Sequence, residues 1–64
     1  MIRLIKLPEV IKNTGFSKSH IYDQVKKGNF PKQVNLTAGS SAWVESEVDE
    51  WIADKIAERD QEAA

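Results

Sequence analysis

The sequence predicts a mainly α-helical fold with a small β-hairpin, and three patterns carry that prediction. Residues 7–28 have the start and stop signals of two short helices joined by a three-residue turn. Residues 32–44 contain two short apolar runs around a small, polar turn, as a hairpin does. Apolar side chains recur at helical spacing among many acids from residue 45 onward. This order of elements is that of a winged helix-turn-helix.

The first helix is predicted at residues 8–14. Pro8 suits the first turn of a helix, because the N–H that proline lacks would be unbonded there anyway. Gly15 suits the left-handed residue that ends the helix. Phe16 follows in the turn and is expected to fill the gap between the first helix and the second.

The second helix is predicted at residues 18–27. The Ser17 hydroxyl is suited to accept a bond from a free N–H of the first turn, and Gly28 supplies the stop signal. Ile21 and Val25 lie one turn apart, so they form the buried stripe. The residues off this stripe are expected to face solvent or a ligand: Lys18, Ser19, Tyr22, Asp23 and Lys26.

The hairpin is predicted from residues 32–36 and 42–44. Pro31 forces the residue before it into an extended conformation, after which polar and apolar residues alternate. Residues 37–41 are small and polar and form the turn, so the hairpin is expected to project as a wing. Residues 3–6 are expected to form a short strand that leads into the first helix.

The third helix is predicted from Glu45 onward. Ser46 stands three residues before Asp49, the spacing of a capping box, and acids crowd the first two turns, which suits the positive end of the helix dipole. Residues 60–64 have no apolar anchor and are expected to fray at the end of a single domain, residues 1–64. The apolar face is expected to consist of Val44, Val48, Trp51, Ile52 and Ile56.

The composition excludes several classes of function. A chain of 64 residues builds only a small core, in which a deep active-site cleft is not expected. The absence of cysteine excludes disulfides and thiolate metal sites, and it suits a reducing cytoplasm. The apolar stretches after Met1 are too short and too broken by charge for a signal peptide or a membrane span. The sequence therefore predicts a cytoplasmic protein that is not an enzyme and has no cofactor or metal.

The net charge of −1 conceals a division of the chain. Residues 1–41 carry seven lysine and arginine residues against two acids, for a charge of +5. Residues 42–64 carry two against eight, for a charge of −6. The basic part is suited to attract phosphate, whereas the acidic helix is either a solvated face or a surface for a protein partner.

Five segments, in this order and spacing, resemble the AlpA family of prophage regulators, and the resemblance covers residues 3–56. It implies a small winged helix-turn-helix, similar to phage excisionases and to the DNA-binding part of MerR regulators. It also implies DNA binding at a mobile-element promoter or attachment site, where members activate an integrase gene or direct excision. The segments are Leu7-Pro8-Glu9-Val10-Ile11, Thr14-Gly15-Phe16-Ser17-Lys18-Ser19, Ile21-Tyr22, Gly28-Asn29-Phe30-Pro31-Lys32 and Trp43-Val44-Glu45-Ser46-Glu47-Val48-Asp49-Glu50-Trp51-Ile52.

Three positions depart from the family's pattern. Gly39 stands near the wing tip, where members often carry a basic residue. Asp23 stands where a basic residue is common, and it either repels phosphate or selects a cytosine amino group. His20 replaces a more usual threonine. The preferred DNA sequence of relatives should therefore not be transferred to this chain.

The start of the second helix is the candidate reader of base edges, because that end of such a helix enters the major groove first. Lys18 suits guanine acceptors, and Ser19 suits several partners. Tyr22 either donates its hydroxyl to a phosphate or packs half-buried beside Ile21. The full predicted DNA-binding set is Ser17, Lys18, Ser19, His20, Tyr22, Lys26, Lys27, Lys32, Ser40 and Ser41.

Several candidates have a purely structural explanation as well. Lys26 and Lys27 suit phosphate, but lysines at a helix C-terminus also favour the helix dipole. Thr37, Ser40 and Ser41 are expected to hold phosphate only weakly. Trp43 and Trp51 are expected in the core, because they lie among acids and not among the basic residues that surround a base-stacking platform.

The leading hypothesis is a sequence-specific double-stranded DNA-binding protein that regulates an integrase gene or acts in excision, two roles that use the same contacts. The rival hypothesis is a protein-interaction module in which the acidic helix binds RNA polymerase, a repressor or a recombinase. No heptad pattern indicates a stable dimer. The chain is therefore expected to be a monomer or to self-associate weakly, with cooperative binding on adjacent DNA sites.

Overall fold

Three helices and a three-stranded antiparallel sheet are present in residues 1–63, which are the residues that the computed structural model describes. The predicted mainly α class with a β-hairpin is confirmed. The elements are β1 (Leu4–Ile5), α1 (Leu7–Thr14), α2 (Lys18–Lys26), β2 (Val34–Thr37), β3 (Ser40–Val44) and α3 (Glu45–Ala63).

The hairpin of β2 and β3, called the wing below, gains a third strand from the start of the chain. β3 is the central strand, with β1 on one side and β2 on the other. Leu4 pairs with Val44, and Ile5 pairs with Trp43. The strand predicted at residues 3–6 is thus shorter than expected, and it ties the chain before α1 to the wing.

The turn of the wing is tighter than predicted. Ala38 and Gly39 alone connect the two strands, whereas the sequence assigned residues 37–41 to the turn. Gly39 has a φ of 79°, a left-handed conformation that glycine adopts without steric cost, and the chain reverses there within two residues. Ser40 and Ser41 consequently belong to β3, where both pair with β2.

The junction between α1 and α2 has the two caps that the sequence predicted. Gly15 is left-handed with a φ of 77°, and its N–H donates to the Ile11 carbonyl at 2.8 Å. The Ser17 hydroxyl accepts from the backbone N–H of His20 at 3.2 Å. Because both helix ends are satisfied locally, the sequence alone sets where α1 stops and α2 starts.

The end of α2 is a Schellman motif, in which two backbone bonds satisfy the last carbonyls of the helix. The N–H of Asn29 donates to the Gln24 carbonyl at 2.9 Å, and the N–H of Gly28 donates to the Val25 carbonyl at 3.1 Å. Gly28 has the required positive φ of 79°. The predicted stop signal is confirmed.

The core takes one or more residues from every element except β2. Trp43 is fully buried, and its indole N–H donates to the Pro31 carbonyl at 3.0 Å, which confirms its predicted place in the core. Trp51 is half-buried at the edge, where its indole N–H donates to the Asn29 carbonyl at 2.6 Å. The buried cluster consists of Ile5, Val10, Ile21, Phe30, Trp43 and Val48.

Phe16 lies at the edge of this core and joins the turn before α2 to α3. It was expected between the first two helices, but its ring packs edge-on against Trp51 at 5.6 Å between centroids. The Trp51 ring meets Phe30 in the same manner at 4.9 Å. Aromatic edges therefore fasten α3 to the helix-turn-helix.

α3 begins at Glu45, directly after β3, where the Glu45 N–H donates to the Arg3 carbonyl at 2.8 Å. The predicted capping box is wrong, because Ser46 lies inside the first turn of the helix, where β3 passes straight into α3. Residues 60–63, which were expected to fray, belong to the helix. The last residue of the predicted tail, Ala64, lies outside the described residues.

Trp43→Ala is expected to lower the free energy of unfolding by about 3–5 kcal/mol, because it removes a fully buried indole and leaves a cavity. Ile56→Ala is the matched control, since Ile56 is 46% exposed, and it is expected to cost within about 0.5 kcal/mol. Urea unfolding followed by circular dichroism measures both values. Equal losses in the two variants would contradict the assigned core.

Candidate nucleic-acid interface

The start of α2 presents an exposed polar face. Ile21 is fully buried, and the turn before it leaves Lys18, Ser19 and His20 exposed to solvent. Lys26, two turns after Ser19, is exposed as well. Of the α2 face that the sequence predicted to be available, Lys18, Ser19, Asp23 and Lys26 are exposed, whereas Tyr22 is half-buried.

Two residues of this face also have local structural contacts. The Ser17 hydroxyl oxygen caps α2, but a hydroxyl keeps its own proton for a second partner. The His20 ring lies edge-on to Phe16 at 4.3 Å between centroids. Both residues remain exposed, so these contacts orient their side chains without covering them.

A shallow groove of about 300 Å³ separates the start of α2 from the wing. We call it the wing groove. Its lining contains lysines and hydroxyls and no carboxylate. The lining residues are Lys6, Leu7, Pro8, Lys18, Tyr22, Gly39, Ser40 and Ser41.

Tyr22 lies where α2 meets the wing. Its ring is 6.1 Å from that of Trp43 and packs against the core, so the structural role that the sequence left open is present. The residue is still half-exposed and lines the wing groove. It also lines an adjoining groove with Thr37, which the sequence predicted as a weak phosphate contact, and with Asn35, which the sequence did not single out.

Lys6 is a residue of the interface that the predicted set lacks. Its ammonium Nζ donates to the Ser40 Oγ at 2.9 Å and so joins the start of α1 to the wing. The two residues are 34 positions apart in the sequence. No local pattern signals such a contact, although the general basic character of the first 41 residues included Lys6.

The charges at the end of α2 are partly compensated. The Lys27 ammonium lies 3.1 Å from the Asp23 carboxylate, one turn earlier on the same helix. Both side chains are about half exposed, so this ion pair contributes little to stability, about 0–1 kcal/mol. Asp23 thus weakens the positive field of Lys27, so Lys26 is the main source of positive charge on this turn.

Lys32 lies apart from the wing groove. It lines a separate groove of about 590 Å³ together with three acids of α3, Glu47, Glu50 and Asp54. These acids offset its charge, so Lys32 is less suited to phosphate than the lysines of α2 are. The structure therefore brings Lys18, Tyr22, Ser40 and Ser41 together and separates Lys32 from them.

Neither a metal cluster nor a membrane-spanning helix is found in the described part of the chain. No three histidine, aspartate or glutamate side chains of residues 1–63 are placed to hold a metal ion. None of its helices combines the length and the apolar character that crossing a bilayer requires.

Comparison with known proteins supports the resemblance. The chain is 35% identical over 60 residues to the DNA-binding transcriptional activator AlpA of Escherichia coli K12, a match that covers 84% of this chain and 86% of that protein. It is 46% identical over 57 residues to an uncharacterized protein, ORF88, of Enterobacteria phage P4. That match covers 89% of this chain and 65% of the phage protein, so the chain spans less than two thirds of that relative.

The family model described as prophage CP4-57 regulatory protein (AlpA) matches residues 3–56. This range contains all the strands, α1, α2 and the part of α3 that packs against the core. With the sequence matches and the winged helix-turn-helix arrangement, it makes the chain a member of the AlpA family of prophage regulators.

Proposed function

We propose that this protein binds double-stranded DNA in a sequence-specific manner and regulates transcription of phage or prophage genes. The observation that carries the proposal is the exposed start of α2 beside the wing, with lysines and hydroxyls on both sides of one groove. The description of the E. coli relative as a DNA-binding transcriptional activator supports the same function.

In this proposal α2 enters the major groove with its first turn foremost, as recognition helices of this class do. Lys18 donates to guanine acceptors, and Ser19 contacts a neighbouring base. Lys26 and the wing serines hold the phosphate backbone and set the register of the helix. His20 and Asp23 are exposed on the same helix, and both are proposed to contribute to the preferred DNA sequence.

The regulated gene is proposed to lie in a mobile element and to be an integrase gene. Excision of the element is the other outcome that the same DNA contacts allow. A footprint on the DNA that flanks the protein's own gene, together with a gel assay of DNA bending, separates the two. Protection at a promoter without bending supports regulation of transcription, whereas bending of attachment-site DNA supports excision.

Binding to a duplex from the flanking DNA is expected to weaken steeply with salt. About three to five phosphate contacts predict a slope of about −2.7 to −4.5 for log K against log salt concentration. Fluorescence anisotropy between 50 and 200 mM salt, roughly the range over which such binding falls, measures the slope, with a shuffled duplex as the control. A flat salt dependence, or no binding to any duplex, would refute the proposed function.

Lys18→Ala and Lys26→Ala are expected to act differently. Loss of a base contact at Lys18 reduces discrimination between the specific and the shuffled duplex by about 1–3 kcal/mol. Loss of a phosphate contact at Lys26 weakens binding to both duplexes equally. Competition binding measures, for each variant, the ratio of its affinities for the specific and the shuffled duplex. The assignment of Lys18 to base reading fails if this affinity ratio is the same in Lys18→Ala as in the original chain.

A second candidate function is supported by the acidic surface of α3. Glu47, Glu50 and Asp54 are exposed on one side of the helix, away from the wing groove. Such a surface is suited to a basic patch on RNA polymerase or on a recombinase. Both functions can coexist, because the two surfaces are formed by different elements.

The triple variant Glu47→Gln, Glu50→Gln, Asp54→Asn tests this second function. It is expected to bind the duplex no more weakly than the original chain, because negative charge is removed, yet to lose activation of a reporter gene in cells. Lys18→Ala with Lys26→Ala is the reciprocal control and is expected to lose both. Full reporter activity in the triple variant would exclude the acidic surface as a partner site.

A further inference from the structure

The hydrogen bond between Lys6 and Ser40 holds an ammonium group beside the wing. Lys6 occupies the position just before α1, and its side chain reaches the wing at 2.9 Å from the Ser40 Oγ. Lys6 is exposed, and none of the ion pairs in the described residues includes it. Its positive charge is therefore held at the wing without a direct ion-pair partner in the described residues, although Glu9 borders an adjoining groove with it.

The wing groove collects donors around this charge. Two ammonium groups, of Lys6 and Lys18, and three hydroxyls, of Tyr22, Ser40 and Ser41, line it. Lysine has three N–H donors, of which the bond to Ser40 uses one. The Ser40 oxygen accepts that bond, so its own O–H remains free to donate. Every polar side chain of the groove thus has a donor left for an anion.

We infer that the wing groove is a seat for one backbone phosphate of the bound DNA, with Lys6 as its principal cation. The inference rests on the proposed DNA binding and assigns a contact to a residue outside the predicted set. Lys6 and Lys18 reach the phosphate from the two sides of the groove, and Ser40 donates to it from the wing. Because Ser40 holds the lysine in position beforehand, less side-chain freedom is lost on binding.

The phosphate seat also assigns a role to the wing despite Gly39 at its tip. The cation that the tip lacks is supplied by the residue before α1, through the contact between Lys6 and Ser40 at the start of β3. DNA contacts of α2 and of the wing then meet at one phosphate, which fixes their relative register on the duplex.

Salt-dependent binding of Lys6→Gln tests the inference, with Lys12→Gln as the matched control. Lys12 is an exposed lysine of α1 that does not line the wing groove, although it lines an adjoining groove with Lys6. Each variant loses one positive charge. Lys6→Gln is expected to reduce the magnitude of the salt slope by about 0.9 and to weaken binding about five- to tenfold at 0.1 M salt. Lys12→Gln is expected to leave the slope unchanged, and Lys6→Arg is expected to restore it.

Ser40→Ala separates a phosphate seat from a bond that only supports the fold. It keeps the charge of Lys6, so the slope is expected to stay while the affinity falls by about two- to tenfold. The effects of Lys6→Gln and Ser40→Ala should not add in the double variant, since both act on one contact. Thermal unfolding of each variant verifies that the measured chain is folded.

Equal slopes for Lys6→Gln and Lys12→Gln in folded chains would overturn the phosphate seat and leave DNA binding intact. Failure of Lys6→Arg to restore the slope would overturn it as well. If the original chain binds no duplex at all, the proposed function and the seat both fail, and the two failures are thereby distinguished.

Discussion

The burial of Trp43 in the central strand is the constraint on which the other elements depend. Its indole is fully buried, and its N–H is satisfied by the Pro31 carbonyl of the segment that leads into the wing. Its backbone pairs with Ile5 of β1, and its ring faces Tyr22 of α2. One residue, through its backbone and its side chain, therefore fixes the start of the chain, the wing and α2 relative to one another. A domain this small has few other large buried groups that do so.

This arrangement explains why the interface lies where it does. The side of α2 that contains Ile21 is buried in the core, so the opposite, polar side of the helix is exposed next to the wing. Hydrogen bonds at both ends of α2 make it a rigid element on which a contact surface can be precisely held. The division of charge has a spatial meaning as well, because most of the acids belong to α3, while the wing groove has no acidic lining.

Much of the fold follows from local chemistry. The two caps at the α1–α2 junction and the Schellman motif after α2 depend on a glycine or a serine and on backbone bonds within five residues. Such signals are readable from the sequence, and they gave the right helices. The predicted capping box at Ser46 failed, because β3 continues straight into α3 and the Arg3 carbonyl takes the first N–H of that helix. A partner 42 positions away in the sequence has no local signal.

The sequence by itself determined the class of fold, the family, the ends of α1 and α2 to within one residue, and the exposed side of the second helix, since each depends on neighbouring residues or on helical spacing. Only the tertiary structure decided which polar residues meet. It joined Lys6 to Ser40 across the sheet, left Ser40 and Ser41 in a strand, and set Lys32 among the acids of α3. These outcomes depend on how the core around Trp43 packs, and packing brings together residues whose spacing along the chain carries no periodic signal.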